Sequence, residues 1–223
     1  MDDWKDPRVL KLKSFEDMAV VLKEKGMPLA SFKKGDTIHV WNKMEKGYSY
    51  VLAENPGERF APEFKPFATP GEILALGSFG GRYLNDCVLE FPAEWFWNAG
   101  LLGKLAPGAG PMGDFSLNYF GIDSRLPLTQ WKEYGWVPGK KRMAGVKGIL
   151  GDPKRNPDER GWFQWYCRYW MGRRIPELDA VQIQRWKAFK RHYGAVQKAC
   201  GGDTECRPRQ RQALLHWAWP FLD

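Results

Sequence analysis

Six of the nine residues 162–170 are aromatic, in the run Gly161-Trp-Phe-Gln-Trp-Tyr-Cys-Arg-Tyr-Trp170. No other segment constrains the fold as tightly. At helical spacing Trp162, Trp165, Tyr166 and Tyr169 form one wall, which leaves Phe163 and Trp170 on other faces. Either protein surrounds such a helix on nearly all sides, or part of its aromatic surface is a platform on which a ligand stacks.

The chain has the size to surround it. With 223 residues, 43% of them hydrophobic, it can bury roughly 70–75% of its unfolded surface. A core of that size needs neither disulfides nor metal. No run of eighteen apolar residues is present, so no membrane-spanning helix is expected. The opening residues Met1-Asp2-Asp3-Trp4-Lys5 lack the basic start and apolar core of a secretory signal. An intracellular protein with reduced cysteines is the expectation.

Ser14 with Asp17 three residues on starts a capped helix over 14–25, ended by Gly26. The β-rich runs 37–41 and 48–52 lie around Lys46-Gly47 and read as a hairpin. Four prolines in 55–70 mark an extended loop. It marks the expected boundary between a small N-terminal helix-and-hairpin module (1–55) and a main helical domain (70–223), with one continuous domain as the alternative. Helices are expected there over 70–76, 92–98, 128–134, 158–171 and 177–200, and from Arg207 onward. Loops rich in glycine and proline separate them at 103–114 and 138–160. The fold class is α+β, mainly helical with one small β-hairpin.

Charge is unevenly distributed. Residues 1–138 hold 16 basic and 18 acidic side chains, whereas residues 139–223 hold 18 basic and 8 acidic ones. A basic, aromatic-rich C-terminal part is the footprint expected for a polyanion, with DNA the favoured partner. The expected phosphate contacts are Arg168, Arg173, Arg174, Lys187, Arg191, Arg207, Arg209 and Arg211. The last three open a helix whose free N–H groups also favour anions. Trp162, Tyr166 and Trp170 are the expected base-stacking residues, with Gln164 bonding a base edge. Against this stands an ordinary solvated surface, with Asp203 and Glu205 as internal partners for the arginines.

Candidate chemistry lies in glycine-bearing turns. Asp86 is the carboxylate best suited to activating water or stabilising a cation, and Asn85 and Asn118 would orient a substrate. The competing reading makes these residues turn caps. Cys200 lies eight residues beyond His192 on one expected helix, about 12 Å away, and its spacing to Cys206 is not that of a familiar zinc finger. Small buried thiols anchoring the loop are the first expectation there, with a loop disulfide and a zinc site as the lesser readings; no cofactor is expected. Phosphate-binding, dinucleotide, serine-hydrolase and zinc-protease motifs are missing.

The tracts at 161–169 and at 206–215 (Cys-Arg-Pro-Arg-Gln-Arg-Gln-Ala-Leu-Leu) resemble those of a family of uncharacterised proteins. The likeness covers mainly residues 70–219. It implies a real domain there and carries no catalytic residue across. The function expected from the residues is DNA binding with an extruded base, and cleavage of its base–sugar bond by a glycosylase-like hydrolase. The alternatives are a non-catalytic nucleic-acid- or protein-binding module, and an enzyme acting on a small phosphorylated molecule.

Overall fold

A computed structural model describes residues 4–124, 126, 128–134, 136–138 and 148–223. Its elements run α1 (Phe15–Lys25), β1 (Thr37–Trp41), β2 (Lys46–Val51), α2 (Pro70–Leu76) and α3 (Ala93–Leu101). They continue with α4 (Leu128–Glu133), α5 (Trp162–Trp170), α6 (Pro176–Ala188), α7 (Lys190–Cys200) and α8 (Pro208–His216). The chain is thus mainly helical with one antiparallel hairpin, an α+β fold.

Local signals set several boundaries. Ser14 and Asp17 form a reciprocal capping box at α1, and Thr69 and Glu72 do the same at α2, where Pro70 occupies the first turn. Several boundaries differ from the sequence reading, among them the start of the helix expected from 158, which begins at Trp162. Lys46-Gly47 lies on β2, and the chain reverses over Asn42–Glu45, where the Asn42 side chain accepts from the N–H groups of Met44 and Glu45. The long helix expected over 177–200 is broken at Phe189, whose N–H bonds to Trp186 in a tightened turn. The break lets the Phe189 ring stack on Trp217 at 4.5 Å.

Helix α5 is the centre of the core, and all nine of its residues are buried. Of the two arrangements open to its aromatic run, enclosure is the one found. Trp165 and Tyr169 close around Phe64, while Tyr166 donates its hydroxyl to the Ala68 carbonyl. Gly172 ends the helix with φ +107°, and a Cβ there would meet the Glu54 carbonyl oxygen at 2.0 Å. That close approach lets the Ala53 and Glu54 N–H groups bond to Gly172, tying the loop after the hairpin to α5.

Enclosing Arg168 on this helix requires counter-charges. Its guanidinium meets Glu45 of the hairpin turn at 3.0 Å, Glu90 at 2.6 Å and Asp158 at 2.9 Å. Arg173 reaches the same Asp158 at 2.6 Å. Burial alone would raise the Asp158 carboxyl, but Arg173 and Arg168 outweigh it and hold it below the ordinary value. The network joins the hairpin, the segment before α3 and α5. Buried apolar residues from Val9 to Phe221 form one connected core around it.

At the C-terminal end, Cys200 and Cys206 form a disulfide with a Cα separation of 5.6 Å. This corrects the expectation of free thiols there: the turn between α7 and α8 brings the two residues within bridging distance. Cys87 and Cys167 are free and buried.

Candidate ligand site

Two cavities meet at a common wall, Trp131 on α4 and Leu126 just before it. The first, about 250 Å³, holds Asp86, Asn85 and Arg160. The second, about 390 Å³, is walled by Trp131, Trp136, Trp162, Trp217, Phe79 and Phe189, among others.

In the first cavity Asp86 is locked. Its Oδ2 accepts from the Lys43 N–H at 2.8 Å and from Arg160 Nη2 at 2.7 Å. Burial would raise its carboxyl, but the Arg160 charge and these bonds hold it below the ordinary value. It is therefore an ionised salt-bridge partner, poorly suited to take a proton from water at neutral pH. Asn85 gives its Nδ2 to the Gly81 carbonyl, while its buried Oδ1 has no partner among the described residues. Arg160 Nε is likewise unpaired. Arg82, on the same wall, makes no ion pair or side-chain hydrogen bond with any described residue.

In the second cavity Arg185 stands out. It gives one hydrogen bond to Gln182 at 2.8 Å and lies 5.3 Å from the Trp217 ring centroid. No carboxylate pairs with it among the described residues, and burial pulls its guanidinium down to about 10. The Trp217 ring is sandwiched between Trp162 at 4.7 Å and Phe189 at 4.5 Å, so the wall beside Arg185 is rigid. Arg191 and His192 of α7 complete the rim. Across the cavity, His216 Nε2 accepts the Phe79 N–H at 3.1 Å, which places the ring proton on Nδ1, toward Ser124 Oγ at 3.3 Å. In that tautomer the imidazole cannot take the serine proton, so the pair is not a nucleophile and base.

The expected phosphate contacts divide cleanly. Arg168, Arg173 and Arg211 are buried, which corrects their assignment to an outer surface. The first two neutralise carboxylates, and Arg211 binds the carbonyls of Asp203, Cys206 and Phe221, pinning the C-terminus to α8. Arg174 is half-buried and gives its bonds to the carbonyls of Glu58, Arg59, Tyr169 and Arg173. Lys187, Arg191, Arg207 and Arg209 remain exposed.

The stacking residues are likewise redistributed. Tyr166 and Trp170 are core, and Gln164 is spent on Glu45 and on the Arg160 N–H. Only Trp162 reaches a cavity. Asn118 accepts from the Gly80 N–H and donates to the Ile122 carbonyl, which makes it a turn anchor and sets it apart from Asp86 and Asn85. Arg185, Arg82 and Trp217 were not singled out from sequence. The spacing of Arg185 and Ala188 with His192 on the two successive helices was the one available signal.

Fold and site thus define a mainly helical α+β protein with two adjoining cavities, one of them aromatic and cationic. Comparison with known protein families, curated proteins and solved structures finds no match for the chain.

Proposed function

We propose that this protein binds single-stranded nucleic acid by seating one unpaired base in the aromatic cavity. One observation carries the reading: Arg185 lies partly buried beside stacked indoles, and no carboxylate among the described residues neutralises it. A partly buried, unpaired cation is costly to a fold, and an anionic ligand removes that cost. Trp162 and Phe189 already cover the Trp217 faces, so stacking falls to Trp131, on which no ring among the described residues stacks, and a base gains roughly 1–3 kcal/mol from stacking on an aromatic ring. Nucleotides supply both the plane and the anion. A small carboxylate would satisfy Arg185 but leave the aromatic walls unused.

Binding is favoured over bond cleavage. Asp86, the expected water-activating group, lies in the neighbouring cavity with its Oδ2 occupied by two donors. The test is fluorescence anisotropy of a labelled oligo-dT across a salt series. Three phosphate contacts give a slope of log K against log salt of about −2 for a single strand. Absence of binding at low salt, or affinity that ignores salt, contradicts the reading.

A further inference from the structure

The first cavity has no task in the reading above, yet it shares its wall with the base-binding cavity. Its charge is as unbalanced: Lys43, Arg82 and Arg160 face a single carboxylate, Asp86. Arg160 is already paired with Asp86, so the surplus resides in Lys43 and Arg82, and Arg82 has no partner among the described residues. The cavity also contains an unpaired acceptor, Asn85 Oδ1, and an unpaired donor, Arg160 Nε. Both atoms are sealed beneath the lining, so the charge surplus and the apolar wall, rather than these atoms, mark the cavity for a ligand. The remaining lining is apolar, from Met44, Met112 and Pro111 among others, and suits the face of a ring.

The geometry points to a two-subsite cleft. We infer that the first cavity seats the nucleotide adjacent to the one held beside Arg185 in the second, with the intervening backbone crossing the shared wall. The ligand is then a strand of at least two nucleotides rather than a free mononucleotide. This rests on the proposed nucleic-acid reading and narrows it.

Calorimetric titration of the full chain with thymidine monophosphate, the dinucleotide dTpdT and oligo-dT of six residues tests it, with uridine counterparts distinguishing DNA from RNA. The dinucleotide should bind at least ten-fold more tightly than the monophosphate in one or both series. Arg82→Ala should remove most of that gain and leave monophosphate affinity within two-fold. Arg82 is only partly buried and unpaired, so its melting temperature should not change, and circular dichroism checks this. A second variant, Lys43→Ala, should weaken the dinucleotide alone by a smaller factor.

Equal affinity for one and two nucleotides overturns the inference but leaves the single-base reading standing. A dinucleotide gain untouched by both variants also overturns it, because the second unit then lies elsewhere. If neither monophosphate nor oligonucleotide binds, both fail together.

Discussion

Replacing Arg185 with leucine should make the protein more stable while weakening its ligand. The guanidinium is pulled down to about 10 by burial alone, roughly two to three units below its ordinary value. At 1.36 kcal/mol per pH unit, its charged form costs the fold about 3 kcal/mol. The bond to Gln182 and the contact with Trp217 return about 1–2 kcal/mol of that. Leucine removes the charge and retains apolar bulk, so a net gain of about 1–2 kcal/mol is expected. For a chain of this size that raises the melting temperature by about 2–8 °C.

The pH dependence has a definite sign. The native state releases this proton before the unfolded state does, so the penalty is complete below about pH 10 and fades as the pH rises above it. Urea titrations at pH 7, with leucine and methionine variants in parallel, measure the difference. A variant less stable than the wild type by 1 kcal/mol or more refutes the reasoning, because it means Arg185 has an internal partner.

Asp86→Ala should lower stability by about 3–5 kcal/mol, since it leaves the Arg160 guanidinium and the Lys43 N–H without their acceptor; a thermal melt reads it, and an unchanged melt would refute the structural weight given to this salt bridge. Arg211→Ala should release the C-terminal segment and cost more than 2 kcal/mol in a urea titration, whereas Arg207→Ala with Arg209→Ala should cost under 0.5 kcal/mol. Acid should unfold the protein below about pH 3.8, where Asp86 and Asp158, both held below that ordinary value, become protonated and lose their arginine partners. Glu90, which burial raises, slopes the other way, but its gain is complete by pH 4.5, so circular dichroism between pH 6 and 2.5 should show a net loss only at the acid end. Cys206→Ser, or a reductant, should lower stability by about 2 kcal/mol through the loop closed by the 200–206 bridge, as a melt with and without dithiothreitol will show.

Features written in consecutive residues were legible beforehand. The capping box of α1, the stop at Gly172 and the aromatic stripe of α5 need only local spacing, and each is present. The fate of the arginines was not local. Arg168 is neutralised by Glu45, 123 positions away, and by Glu90, 78 positions away, so a charge count over the C-terminal part reads as surface what the fold spends inside.

The same blindness applies in reverse to Arg185. Its sequence neighbours do not distinguish it from Lys187 or Arg191, and only the packing of α6 against Trp217 partly buries it without a counter-ion among the described residues. The helix break at Phe189 carries no glycine or proline, because the gain comes from docking its ring on Trp217. The hairpin turn was better marked than its assignment suggested. Asn42 at its start is a residue whose side chain caps such turns.

The most direct measurement of the central claim is the affinity of wild type and Arg185→Leu for a six-residue oligo-dT at low salt, with both proteins shown to be folded. The wild type should bind measurably, and the variant at least ten-fold more weakly even though it melts at a higher temperature. Equal affinities in the two proteins would contradict the claim.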